Sequence, residues 1–270
     1  ALACPVDINT GDMMKAFRVK GHNPPAEAVA LTIAKRYRLM QRAGRIALRT
    51  AHGVGSVTGE GLITGVTRAG RTVVSSDVLP TWLPQIPDSA PRTLPTTTRD
   101  GAAAVYFPAC INRIFGNPDS MADRASLPEV VVALAQRAGQ PVWIPEDVSG
   151  MCCGTVWHSK GYQRGNRYMA NSVVEHLWRW TDGGRLPVVV DATSCTFGLV
   201  HEIEPYLEGP AVAQHGRLRI LDSIEWARDE LLPRLEVRTK VGSAVIHATC
   251  AGTHLGLGPA LAEVAGAVAE

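Results

Sequence analysis

The stretch Gly150-Met151-Cys152-Cys153-Gly154 constrains this chain more than any other. Neighbouring side chains on a strand or helix diverge, so an ordinary core seats only one of two adjacent thiols well. A bound metal centre gives both a purpose. Cys110 upstream and Cys195 downstream are each separated from the pair by 41 residues, 111–151 and 154–194. Short apolar runs at 102–107, 141–145 and 187–191 precede the three cysteine positions and read as buried strands. With those strands parallel, every thiol stands just past a carboxyl end, where open α/β sheets place their ligand sites. Four thiolates suit a [4Fe–4S] cluster, and tetrahedral zinc is equally well served. Gly154, Gly198 and Gly252 are expected to let the backbone come close to the sulfurs.

The remaining totals narrow the class. A chain of 270 residues, 46% hydrophobic and 19% charged, has ample material for a core. Its six cysteines are therefore not needed as disulfide staples. A net charge of +2 and a pI near 8.3, with arginines scattered along the sequence, argue against nucleic acid as a partner. No apolar run reaches the roughly 18 residues of a membrane span, and no signal segment opens the chain. A cytoplasmic location is expected. Both ends look cut: Ala1-Leu2-Ala3-Cys4 starts inside a motif, and 264–270 closes in a helical pattern without a stop signal. The chain is expected to be a segment of a longer protein.

Cys4-Pro5 resembles the end of a bacterial ferredoxin run, whose fourth cysteine serves a different cluster from the first three. The partners of Cys4 are then expected upstream of Ala1. Thr10-Gly11-Asp12 predicts the start of a helix near Met13. Residues 25–51 give the longest helical pattern, with Val29, Ile33, Tyr37, Met40 and Ile46 on one stripe. Lys35, Arg36, Arg38, Arg42, Arg45 and Arg49 occupy the rest of its circumference. A solvated basic face is the default reading, ahead of a surface for lipid or an acidic partner. His52 to Gly59 follows a helix where a dinucleotide fingerprint follows a strand, so it reads as a helix exit and linker. Five prolines between 79 and 95 predict an extended connector and a domain boundary near 100.

Beyond it strands and helices alternate, predicting a parallel sheet with covered faces. Strands are expected at 102–107, 141–145, 187–191, 217–221 and 243–248. Helices are expected at 125–138, 162–180, 199–207, 222–232 and 257–269. Cys250 follows the last predicted strand as Cys110 follows the first, as if a second copy of one unit began there.

The strings Ala3-Cys4-Pro5-Val6-Asp7-Ile8-Asn9-Thr10-Gly11, Tyr106-Phe107-Pro108-Ala109-Cys110-Ile111-Asn112-Arg113, Met151-Cys152-Cys153-Gly154-Thr155, Asp191-Ala192-Thr193-Ser194-Cys195-Thr196 and His247-Ala248-Thr249-Cys250 carry a resemblance. Their order is similar to the cysteine-rich CCG domain of heterodisulfide reductases and of the iron–sulfur component of glycolate oxidase. It resembles more closely the C-terminal half of FAD-linked, cytochrome-reducing D-lactate dehydrogenases. That resemblance implies an α/β fold: a parallel-sheet CCG domain over 101–270, its second repeat truncated. A mainly helical ferredoxin-linked segment and Pro-rich linker precede it over 1–100. It implies Cys110, Cys152, Cys153 and Cys195 as ligands of a [4Fe–4S] cluster, with Cys4 and Cys250 belonging to further centres. The implied role is electron relay from FAD, in a flavin oxidase domain upstream, to a quinone or cytochrome acceptor. Peripheral association with the inner membrane face fits such an acceptor. The catalytic flavin site is expected outside this segment. Ala192 stands where the heterodisulfide-reductase pattern has the first cysteine of a Cys-x-x-Cys, so that family's thiol/disulfide chemistry lacks its fifth thiolate. A zinc-stabilised docking module is the alternative from another class.

Other residues read more plainly. His158 and His247 are loop histidines near the thiols, and Trp157, Trp178 and Trp180 are core aromatics. Lys160 and Arg164 mark a solvated helix start.

Overall fold

The computed structural model describes residues 10–73, 81–83 and 85–270. The Cys4-Pro5 motif and the Leu79-Pro80 start of the proline-rich stretch lie outside the described residues. The described chain divides into two compact units. One takes the residues up to Arg38, Pro95–Ala109 and Val131–Glu270; the other takes Leu39–Leu94 and Cys110–Val130.

The first unit is a mixed α/β body around a parallel sheet of β1 (Ala104–Phe107), β2 (Val142–Trp143), β3 (Val188–Val190) and β4 (Ile220–Asp222), in the order β2-β1-β3-β4. Register runs Val105 to Trp143 and Val188, and Val189 to Leu221. Every residue of β1 and β3 is buried. These central strands are therefore continuous apolar runs, as expected where helices cover both faces.

Helices α1 (Thr10–Gly21), α2 (Pro24–Lys35), α3 (Tyr37–Thr58) and α4 (Glu60–Val73) come before the sheet. Asn23 caps α2, its side chain accepting from Ala26 N–H at 2.9 Å, and Pro24 fills the first turn. Between β1 and β2 lie α5 (Cys110–Ile114) and α6 (Leu127–Arg137); between β2 and β3 lie α7 (Thr155–Lys160) and α8 (Gln163–Trp180). Helix α8 buries Met169, Val173, Leu177 and Trp180 along one stripe, with Ala170 and Val174 beside it. Helix α2 packs along α8, and the Glu27 carboxylate accepts the N–H groups of Gln163 and Arg164 at 2.9 and 3.0 Å. An acidic side chain from one helix thus satisfies orphan donors at the start of another. Trp157 is buried, its indole N–H donating to Ala30 O at 3.0 Å, and Trp180 is buried too.

After β3 come α9 (Thr193–Phe197), a π turn at Gly198–Glu202 and α10 (Pro210–His215). After β4 come α11 (Ser223–Trp226), a π turn at Ala227–Leu231, α12 (Cys250–His254) and α13 (Gly258–Val268).

Three sequence expectations are corrected. The strand expected at 243–248 does not form: Val245 is 98% exposed and the run pairs with no strand. An apolar run becomes a strand only where a sheet edge receives it, and the described sheet ends at β4. The helix expected over 25–51 is two helices broken at Arg36. His52 to Thr58 is not a helix exit but the last two turns of α3. Its glycines cost helix propensity without stopping the helix; Gly59, at φ +86°, ends it.

The second unit is helical. Trp82 is buried, its N–H donating to Thr67 Oγ1 at 3.0 Å. Ala90 N–H donates to Ile114 O at 2.9 Å and Gly116 N–H to Asp88 O at 2.7 Å. Buried Arg113 donates to Gln41 Oε1 at 3.1 Å.

Candidate thiol centre at the carboxyl rim of the sheet

Strand order reverses between β1 and β3, the switch point at whose carboxyl end open α/β sheets place their ligand sites. Asp191, directly after β3, ties the two strands together. Its Oδ2 accepts from the Tyr106 hydroxyl and its Oδ1 from Ala109 N–H, both at 2.6 Å. Burial, then the charge of Asp191 and its hydrogen bond, push the Tyr106 phenol far up, so it stays a donor.

Cys195 lies in α9. The N–H groups of Cys195 and Thr196 both donate to Ala192 O, at 2.8 and 3.0 Å, and the Thr196 hydroxyl donates to Asp222 Oδ2 at 2.9 Å. Two strand ends thereby hold the helix that carries the sulfur. Cys152 and Cys153 come from the loop after β2, which passes through a 3₁₀ turn at Glu146–Val148. Gly154, at φ +88°, turns that loop into α7, and a Cβ there would stand 2.9 Å from Asn166 Oδ1. Only glycine takes this backbone cheaply.

Cys153 has Cys152 and Cys195 as neighbours. Cys153 Sγ is hydrogen-bonded with the sulfurs of Cys152 and Cys195, and these contacts hold its pKa well below the ordinary thiol range. Burial opposes them; the hydroxyl and N–H of Thr155 assist, the hydroxyl standing 3.3 Å from Sγ. Cys152 and Cys153 are both buried, at 1% and 3% exposed. The Thr155 hydroxyl accepts from Cys153 Sγ and donates to Ser194 O at 3.5 Å, beside Cys195. A Cβ on Gly198 would overlap the Thr155 hydroxyl, so the bare glycine is what seats it. Gly198 thus serves the sulfur through Thr155, and Gly252 leaves room for Thr249 Oγ1, its helix cap, 3.2 Å from where a Cβ would lie.

Cys110 opens α5 three residues past β1, is half-buried, and belongs to the second unit. Cys250 likewise opens a five-residue helix, α12, but is exposed and follows irregular chain. Helix α12 packs on α9, Gly252 lying close to Thr193. Cys4 lies outside the described residues. Among the described residues no three or more His, Cys, Asp or Glu side chains are set out as a metal-holding group.

Thr155, Asp191 and Asn166 escaped the sequence reading. Thr155 follows the Cys-Cys-Gly turn, and Asp191 is the one charged residue closing an apolar strand; both positions were signals. Asn166 is 1% exposed, neither polar atom of its amide has a hydrogen-bond partner among the described residues, and it lies against Gly154. His247 is exposed. His158 is helical, not a loop residue, and joins an ion network: Lys15 Nζ stands 2.8 Å from its Nε2 and 2.7 Å from Glu202 Oε1, which is 3.2 Å from that Nε2. Burial alone would push Glu202 up, but the hydrogen bonds and charges of His158 and Lys15 outweigh it and hold the carboxyl down to about 2. Since the folded value lies below the unfolded 4.5, the network stabilises fully above that pH and fails as pH falls through about 2. Discounted for its partial exposure, Glu202→Gln should remove about 2 kcal/mol at neutral pH and flatten the acid limb of a urea-denaturation pH profile.

Searches of protein-family models, curated proteins and solved structures return no match to this chain. The described residues form a mixed α/β chain with a four-stranded, all-parallel sheet, and Cys153 neighbours Cys152 and Cys195 in the loops that follow its strands.

Proposed function

We propose that this chain is the iron–sulfur electron-relay part of a flavin-linked 2-hydroxy-acid dehydrogenase, with D-lactate the expected acid. The observation that carries the reading is the buried Cys153 sulfur with those of Cys152 and Cys195 as its hydrogen-bonding neighbours. A donor set made of sulfur alone suits iron, and the unpaired amide of Asn166 beside Gly154 leaves polar capacity next to it. Cys152, Cys153 and Cys195, with Cys110 as the fourth thiolate of the sequence pattern, would hold a [4Fe–4S] cluster. Such a group supplies one-electron exchange when bound.

The chain's own residues do the rest. The backbone N–H of Thr155 donates to the Cys153 sulfur, and charge-stabilising donors of this kind raise a centre's potential. Burial of the pair keeps water from their sulfurs. Asp191 fixes the exits of β1 and β3. FAD in an upstream flavin domain is the proposed electron source and a quinone or cytochrome the proposed acceptor. No described helix is long and apolar enough to cross a membrane, and cytoplasmic placement, peripheral to the inner membrane, belongs to the same proposal.

The test is reduction of anaerobically purified protein with dithionite. Loss of a broad visible absorption, together with an iron–sulfur EPR signal, is expected. A colourless protein holding one zinc ion per chain would sink the relay reading in favour of a docking module.

A further inference from the structure

Helix α3 carries Arg42, Arg45, Ile46 and Arg49 at helical spacing, so all four share one face. Across from that face runs the segment around Ala90 and Arg92, and together they line a cavity of about 500 Å³ within the second unit. Among the described residues that line it, four are arginines and none is Asp or Glu. Arg45 is half-buried and spends one nitrogen on the carbonyls of Pro91 and Arg92, at 3.2 and 3.3 Å; Arg49 reaches Ser89 Oγ at 3.3 Å. Those bonds place the guanidiniums without neutralising them. Among the described residues none of the four pairs with a carboxylate.

Like charges gathered around one concavity repel, and the Arg45 guanidinium registers this. Its pKa is lowered by burial first and then by Arg42, Arg49, Arg113 and Arg92. A solvated basic face does not need this convergence, since a helix exposes its arginines at no cost by pointing them apart. Guanidinium forks match tetrahedral oxyanions bidentately, and several forks around one pocket select a multiply charged anion over chloride or a single carboxylate. Ile46 and Ala90 give the cavity an apolar wall, and its volume is that of an ordinary small-molecule site.

We propose that this arginine-lined cavity binds a phosphorylated small molecule, its phosphate held between Arg42, Arg45, Arg49 and Arg92 and its organic part against Ile46 and Ala90. The site is independent of the thiol centre and of any electron relay. Bound phosphate replaces the repulsion among the four cations with attraction, so occupancy tightens α3 against the 89–92 segment.

The probe is inorganic pyrophosphate on the whole chain, followed by thermal unfolding, with sodium chloride at matched ionic strength to remove simple screening. Pyrophosphate at millimolar concentration is expected to raise the unfolding temperature by several degrees over the salt control. Arg42→Gln, whose guanidinium makes no hydrogen bond among the described residues, should weaken binding about tenfold, and Arg42→Gln with Arg49→Gln should abolish the response. Without ligand Arg42→Gln should unfold no earlier than the parent, because a repulsive charge has been removed; this separates lost binding from lost fold. No rise over matched chloride, or an equal rise in the double variant, overturns the site. Binding confined to phosphatidylglycerol vesicles, with no response to pyrophosphate, overturns it in favour of a membrane-facing surface.

Discussion

Asp191→Ala should lower stability by about 3 kcal/mol, because it strands a buried phenol and a buried backbone N–H at once. Tyr106 is fully buried and its hydroxyl has the Asp191 carboxylate 2.6 Å away; Ala109 N–H depends on the other oxygen of the same group. Hydrogen bonds to a charged acceptor contribute more than neutral ones, and removing the acceptor leaves both donors desolvated. Tyr106→Phe removes only one partner and should cost about 1 kcal/mol. Asp191→Asn keeps one acceptor and should fall between the two. Urea denaturation of the three variants checks the order; equal losses would show that the carboxylate does not bridge β1 and β3 as described.

Gly198→Ala should damage the thiol centre while leaving the sheet intact. The added methyl claims the space of the Thr155 hydroxyl, which must then leave Cys153 and the carbonyl of Ser194. Overpacking of this kind costs about 2 kcal/mol. Thr155→Ala in the same background restores room without restoring the hydroxyl. The double variant should therefore recover most of the stability but none of the hydrogen bond to Cys153. Two separable readouts follow: unfolding free energy returns, and retention of iron by the protein stays low. Recovery of both would show that Thr155 fills space and has no electrostatic role at the sulfur.

The parts of this structure legible from residues alone are those decided by short-range pattern. Val188-Val189-Val190 and Ala104 to Phe107 read as buried strands and form them, and the stripe on 163–180 faces a core. The expected α/β class with a parallel sheet follows from them. The 243–248 run shows the limit. Ala244-Val245-Ile246 has the same local character, yet whether a strand forms depends on a receiving edge, a property of the whole sheet. The His52 to Thr58 glycines mislead for the opposite reason: a long helix tolerates them when its other turns are held, and only Gly59 adopts a backbone that stops it. At the thiol centre the cysteines stand out in the sequence because cysteine is rare and its chemistry narrow. Thr155, Asn166 and Asp191 are common residues whose meaning comes from burial and from what stands within 3 Å or so of them, which no spacing encodes.

Electron relay through this chain requires that the gathered sulfurs be ligands and not a hydrophobic packing of small thiols. Iron and acid-labile sulfide counted per chain in anaerobically purified protein, beside Cys153→Ser, tests it most directly. About four of each in the parent, falling sharply in a Cys153→Ser protein that keeps its circular dichroism, is the predicted result. Neither element in the parent, or equal amounts in the folded variant, would contradict it.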